Sequence, residues 1–435
     1  MGKVSMTSKA LVREGLHYAT GERIRITIGS EGRITEVLTE DADSRIAEVS
    51  TDSIGSKISG AAPAQGGSDG GEALIADGEH SVRGGDAEVW IAPGLIDLQL
   101  NGGYGIDLNS LPLTSESIIR LTRRLWETGV TTYYPTVITN GDREIEELVS
   151  AIDQACREDA LTGKSIGGIH LEGPFLSPEE GPRGAHDERY IRPPDWELLQ
   201  RWQDASGSRI RILTLSPEWP EAPEVMRRCV QSGIIVSIGH TAATPEQIRQ
   251  AALAGASMST HFGNGAHLTL PRHPNYLWEQ LALDELWCGF IADGYHVPDS
   301  VIKVLLRAKA GKALLVSDAV YLSGMAPGSY RTHIGGEVVL TPEGRLHLAR
   351  KPELLAGSAM MLADAVQRLA ASGLCSFAEA WDMASNAPAR AVGRKNLHGL
   401  NEGARADFVM FERHEGKIRI VETVLGGVPV YQASS

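Results

Sequence analysis

The 435-residue sequence predicts an α/β protein, a (β/α)8 barrel beside a small β domain that both chain ends build together. Three observations predict it. From Ile91 onward, short apolar runs alternate with segments of helical period, as in repeated βα units. Eight such runs precede Val320, the number a closed barrel needs. The two chain ends instead alternate apolar and polar residues with a period of two, and match each other in type.

The elements follow in order. "KALVREGLHY" and "RIRITIGSEGRITEVL", with a turn at Gly29–Gly32, read as a β-meander. The stretch from Val49 to Leu74 is rich in Gly, Ser and Ala, has neither period, and reads as a mobile loop or linker. The barrel strands are expected in "IAPGLIDLQL", "VTTYYPTVI", "IGGIHLEG", "IRILTLSP", "IIVSIGH", "ASMSTH", "LWCGFIAD" and "ALLVSDA". Helices fall between them, among them "SESIIRLTRRLWETG", "PEQIRQAALAG" and "PDSVIKVLLRAKAG", each stopping at a glycine suited to a left-handed cap. Beyond Asp318 come a glycine-rich stretch, two helical segments and the strand-like "RADFVMFE" and "IRIVETVLGGVPVY". The expected division is a small β domain from 1–90 and 395–435, with a flexible insertion at about 41–85, and a barrel over 91–394.

Composition narrows the function. A net charge of −14 argues against a basic face for nucleic acid or an anionic membrane, while leaving room for a local basic pocket that takes a small anion. The four cysteines lie far apart without a CxxC, which argues against a zinc ribbon or a disulfide framework and for reduced thiols. "MGKVSMTSKALVREG" lacks the apolar core of a signal peptide, and no run approaches a membrane span. A cytoplasmic protein acting on a small molecule is expected.

In a parallel barrel, residues at the carboxyl ends of the strands share one mouth. Here those residues are Asp97, Gln99 and Asn101, then Glu172, His240, His261 and Asp318, with His296 just past the seventh strand. Two imidazoles and a carboxylate form a three-ligand site that leaves a position open for water, the pattern of catalytic rather than structural zinc. Glu172, His240 and His261 are the expected ligands of one divalent ion per subunit: zinc first, though iron, manganese or cobalt suits the same donors. Asp318 is the expected acid/base that takes and returns the proton of the attacking water. A lone strand-end histidine is more often a hydrogen-bonded surface residue, Glu172 could cap a helix, and Asp318 could N-cap the next segment. Four such coincidences at one mouth favour one site. His267, His273 and His398 are read as loop or surface histidines.

At this point the residues resemble a known family. "IAPGLIDLQLNGGYGID", "GIHLEGPFL", "GAHDERYIRPPD", "SIGHTAAT", "STHFGNGA", "FIADGYHV", "LVSDA", "LLAGSAMMLADAV" and "GARADFVMF" are together similar to the N-acetylglucosamine-6-phosphate deacetylases of the amidohydrolase superfamily. The resemblance implies a distorted, TIM-like (β/α)8 barrel with a small β-sandwich domain formed from both termini. It implies deacetylation of a phosphorylated N-acetyl amino sugar, with Glu172, His240 and His261 as metal ligands, Asp318 as acid/base and His186 polarising the acetamide carbonyl. His296, Asn264 and Gly265 fall at substrate-binding positions. Arg272 sits where an arginine reaches the phosphate in the neighbouring subunit, which implies a homodimer. Gln99 and Asn101 stand where a two-metal subgroup carries His-x-His, so one metal is implied, and both count among the substrate-binding residues.

The chain departs from the family at "HFGNGA", where "H-L-F-N-A-M" is usual, and in the loop after it, which carries Tyr276, Trp278 and Glu279. A different or unphosphorylated N-acyl sugar is therefore the alternative substrate. A catalytically inactive binding scaffold is the alternative from another class.

Overall fold

The structure is a computed structural model that describes residues 11–39, 88–332, 335–394, 397–414 and 416–434. The expected insertion at 41–85, with the stretch from 49 to 74 inside it, lies outside the described residues.

In chain order, β1 (Leu11–His17), β2 (Arg23–Ile28) and β3 (Ile34–Thr39) form the expected meander. β4 (Val89–Pro93) follows, then β5 (Leu95–Leu100) and the small hairpin β6 (Gly102–Gly103) and β7 (Ile106–Asp107). The other barrel strands are β8 (Val130–Ile138), β9 (Ile169–Glu172), β10 (Ile210–Leu215), β11 (Ile235–Ile238), β12 (Met258–Ser259), β13 (Trp287–Phe290) and β14 (Ala313–Leu315). These eight strands make one parallel sheet in the order β14-β13-β12-β11-β10-β9-β8-β5. It closes just beyond β14: Leu100 bridges Ala319 in parallel, and Asp318 N donates to Gln99 O at 2.9 Å. The residue after the last barrel strand is thus stitched to the first.

One expected strand is two. "IAPGLIDLQL" breaks at Gly94, where a Cβ would overlap the side chain of Thr131. The first half, β4, leaves the barrel and pairs with β1 and with the later strand Phe408–His414. The glycine-rich stretch after Asp318 holds a four-stranded antiparallel sheet, β15 (Gly328–Thr332), β16 (Gly336–Leu340), β17 (Leu346–Leu348) and β18 (Lys351–Leu355), around Leu322, Val338, Leu340 and Leu346. Three helices follow rather than two: Leu362–Ala371, Phe377–Met383 and Asn386–Ala391.

The last strands, β19 (Phe408–His414), β20 (Lys417–Leu425) and β21 (Val428–Gln432), join the first four in a seven-stranded sheet, β21-β20-β19-β4-β1-β2-β3. This is the small β unit of both termini. Ile24, Ile26 and Ile28 alternate onto its buried face with Ile34, Ile91, Phe408 and Val424, as the period of two requires. Trp381 ties this unit to the barrel helices. Its ring stacks on Phe411 at 4.9 Å, and its indole N–H donates to Pro93 O at 2.9 Å.

Helix Pro245–Leu253 shows how local sequence sets these elements. Pro245 opens it, Thr244 and Gln247 close a capping box, and Ile248 and Ala251, three apart, turn to the core.

Candidate active site

The strand ends bring the expected residues together by an unusual backbone. Glu172 ends β9, whereas His240, His261 and Asp318 lie in the turns just beyond β11, β12 and β14. At these three the chain enters the left-handed region, with φ of 48°, 25° and 46°. Such conformations cost non-glycine residues about 1–3 kcal/mol each and persist where the surroundings over-determine them, which is characteristic of functional sites.

The side chains converge. His261 Nε2 lies 2.9 Å from Glu172 Oε1 and 3.0 Å from His240 Nε2, and His240 Nε2 lies 3.2 Å from Glu172 Oε1. His186 Nε2 stands 3.3 Å from His240 Nε2, so Glu172, His186 and His240 also form a cluster able to hold a metal ion. All four side chains are buried.

The tautomer of His240 decides what this cluster needs. The Pro182 carbonyl only accepts, so its 2.8 Å bond to His240 Nδ1 places the proton there. A neutral His240 then aims the lone pair of Nε2 at the Glu172 carboxylate. Two acceptors at that spacing repel unless a cation lies between them. Ligand atoms bonded at about 2.0–2.1 Å around a tetrahedral ion sit roughly 3.3 Å apart, close to the spacings found here. The residues fit a divalent ion.

The electrostatics agree. Burial opposes the charge on Glu172, yet its imidazole neighbours outweigh it and hold the carboxyl well below its usual range. Burial likewise works against a charged His261, but Glu172 pushes it up to about 9. The pocket demands positive charge beside Glu172, which a divalent ion supplies and a proton on His261 mimics. His186 is held neutral, its pKa lowered to about 3 by burial and then by the charge of His240. His261 Nδ1 is buried without a hydrogen-bond partner and lacks the outer acceptor that Pro182 gives His240.

Asp318 lies at the same barrel mouth, just beyond β14. Burial, its largest influence, raises its pKa to about 6, although Asn101 Nδ2 donates to Oδ1 at 2.7 Å. Asp97 sits at the barrel seam, where Oδ1 accepts from Ser317 N and Gln99 N; burial lifts it to about 7.

The remaining expected residues divide. Gln99 Nε2 donates to Glu172 Oε2 at 3.1 Å and steadies the carboxylate. His296 Nδ1 is 2.6 Å from Asp293 Oδ2, a partner that sequence reading missed. Asn264 Nδ2 donates to His261 O, and Gly265 lies against the His240 ring. Arg272 lies in the exposed stretch Pro271–Pro274. Sequence reasoning also missed Thr139, whose hydroxyl meets His186 Nδ1 at 2.9 Å, and Pro182; neither residue type announces such a role. Of the three histidines read as loop or surface, His398 is buried.

Comparisons with known proteins agree with this geometry. A sequence profile of the amidohydrolase family matches residues 90–430. The chain is 34% identical over 328 residues to the N-acetylglucosamine-6-phosphate deacetylase of Bacillus subtilis, covering 74% of this chain and 81% of that one. It is 31% identical over 355 residues to the human N-acetylglucosamine-6-phosphate deacetylase, covering 79% and 84%. It is 34% identical over 347 residues to an N-acetylgalactosamine-6-phosphate deacetylase of Shewanella, again covering 79% and 84%. In fold it matches the N-acetyl-D-glucosamine-6-phosphate deacetylase of Mycobacterium smegmatis with a TM-score of 0.75 at 24% identity, covering 97% of this chain and all of that one.

Proposed function

The chain belongs to the amidohydrolase family, and from that premise we propose that it hydrolyses the acetamide of N-acetylglucosamine 6-phosphate to glucosamine 6-phosphate and acetate, in amino-sugar catabolism. The observation that carries the reading is the pairing of a cation-demanding cluster, Glu172, His240 and His261, with a partly buried carboxyl, Asp318, whose pKa of about 6 suits proton exchange near neutrality. The relatives supply the substrate.

Glu172, His240 and His261 would hold one divalent ion, zinc first, with iron, manganese or cobalt able to replace it. When bound, the ion supplies a Lewis acid that makes water a nucleophile at neutral pH and stabilises negative charge on the carbonyl oxygen. Asp318 takes the proton of the attacking water and returns it to the leaving nitrogen, which must depart as an amine. Asn101 keeps the Asp318 carboxylate oriented for both transfers. His186, with the Thr139 hydroxyl donating to Nδ1, presents Nε2–H to polarise the carbonyl. His296, Asn264, Gly265, Gln99 and Asn101 bind and orient the sugar.

Arg272 reaches the phosphate of a neighbouring subunit's substrate, so the protein works as a homodimer. Mixing Arg272→Ala with Asp318→Asn subunits tests this, because hybrid dimers then hold one complete site; absence of rescue rejects it. The four cysteines are free thiols, as in a reducing cytoplasm. Among the described residues no helix is long and apolar enough to cross a membrane.

Acetate release by metal-analysed protein from N-acetylglucosamine 6-phosphate and from N-acetylglucosamine tests the reaction and the need for phosphate. Fast release from the phosphorylated sugar alone, lost in Asp318→Asn, is the expected result. The Shewanella relative favours a second reading in which the sugar is N-acetylgalactosamine 6-phosphate, and that compound belongs in the same assay. Release from none of the three overturns the substrate assignment.

A further inference from the structure

We propose that Glu179, His267 and Tyr276 form a clasp that fixes the loop bearing His186 against the loop that follows His261, which makes His267 a positioning residue for the reaction. The inference rests on the catalytic reading above for its effect on turnover.

The loop from Ser177 to Tyr190 carries His186 and the Pro182 carbonyl that orients His240. Its hydrogen bonds to other elements are few. Ser177 N donates to His240 O, His240 Nδ1 donates to Pro182 O, and His186 meets Thr139; all lie inside the site. The outer rim is held by His267, whose Nε2 lies 2.9 Å from Glu179 Oε2. On its other side His267 is bound twice to one phenol, with its backbone N–H donating to Tyr276 Oη at 2.9 Å and Nδ1 3.0 Å from the same oxygen.

Every role in this chain is assigned by chemistry. The carboxylate only accepts, so Nε2 donates; with that proton on Nε2, Nδ1 is placed to accept from the Tyr276 hydroxyl, whose lone pair takes the backbone N–H. One ring proton satisfies all three groups. Tyr276 is buried at the start of the helix Tyr276–Ala282, so the clasp ties the exposed Glu179 to a point in the core. The two loops also meet closely at Gly181, where φ is +93° and a Cβ would stand 3.1 Å from both Ala266 O and His267 Cα.

An exposed hydrogen bond alone is weak, but here it sets where His186 stands, and small misplacements of a group acting on a reacting atom are costly. Loosening the clasp should therefore lower kcat while leaving the metal ligands, and most of substrate binding, in place.

The test uses full-length, metal-loaded protein with wild type, His267→Ala, Glu179→Ala, the double variant and Glu179→Gln, which keeps an acceptor for Nε2–H. The expected result is a roughly three- to tenfold fall in kcat for each alanine variant, with KM and bound metal within about twofold. The double variant should be no worse than either single, and Glu179→Gln should retain most of the activity. Amide hydrogen exchange over 177–190 should speed up in the alanine variants while the barrel strands stay unchanged. That arm decides the clasp even if wild type fails on every sugar tried, so the two failures are distinguishable. Unchanged exchange overturns the proposal, as do multiplicative effects in the double variant or a rise in KM at constant kcat.

Discussion

Asp318 occupies a position where four influences set its proton affinity: burial raises it, nearby imidazoles lower it, the charge of Glu172 raises it, and the Asn101 amide lowers it. In the proposed reaction it is the base and acts only when ionised, so kcat/KM should fall as pH drops through its folded value, at or below about 6 once a divalent ion adds its charge. Asn101→Leu removes a hydrogen bond to the ionised form, so the acid limb of the profile should move to higher pH. A limb that stays in place shows that another group titrates there. Asp318→Asn keeps the shape and loses the base, with an expected fall in kcat of roughly 10²- to 10⁴-fold at unchanged metal content. His186 has two possible roles, which its tautomer separates. If it polarises the carbonyl, His186→Gln loses turnover but binds the full metal complement; a parallel loss of metal would make it a ligand, as its 3.3 Å approach to His240 allows. Asp318 and Asn101 could be singled out in the sequence because they lie at or just beyond strand ends, positions that the alternation of apolar runs marks, whereas His186 lies in the loop after β9 and was reached only through the family resemblance. Thr139 and Pro182 were not, because they act through a hydroxyl and a backbone carbonyl that many positions offer.

The strands of the barrel were readable as elements, and the turns that follow them were not. The apolar runs announce β8 through β14, but nothing in "SIGHT" or "VSDA" signals that His240 and Asp318 leave the strand with positive φ. The break at Gly94 was hidden for a similar reason: no polar residue interrupts the run from Ile91 to Ile96, and the close approach of Thr131 to Gly94 appears only in the fold. The loop after His261 is shaped by such approaches too. Gly265 has φ +56°, and a Cβ there would come within 2.5 Å of His240 Nδ1, the atom that donates to Pro182. Gly265→Ala should therefore twist the imidazole away from Glu172 and weaken metal binding by roughly 10- to 100-fold, the usual consequence of losing an outer partner of a ligating histidine. Metal titration of chelator-treated protein measures this, and wild-type affinity in the variant would show that the loop yields instead.

On the scale of the whole molecule, the chain ends must return to one another across the barrel, and the packing that achieves this also traps a histidine. His398 lies between the last barrel helix and the returning β19, near Arg394 and Arg405; its short, polar surroundings in sequence suggested a surface loop. In the fold it is buried, with Nε2 unpaired. Burial, followed by the charges of Arg405 and Arg394, depresses its pKa to about 3. In the unfolded chain the ordinary value is about 6.5. The sign follows from which state binds the proton: below about pH 6.5 the unfolded chain takes up a proton that the folded one refuses, so stability declines as pH falls toward 3 and is untouched above 6.5. The slope from this one group is roughly 1.4 kcal/mol per pH unit within that window. Other groups also respond to acid, so the informative quantity is a difference. His398→Leu should differ from wild type by a constant amount in Tm at pH values above about 7, and gain on it steadily as pH is lowered to about 5. Parallel Tm curves for the two proteins across that range would mean that water reaches the imidazole, and that the junction between the barrel and the terminal sheet is looser than its packing indicates.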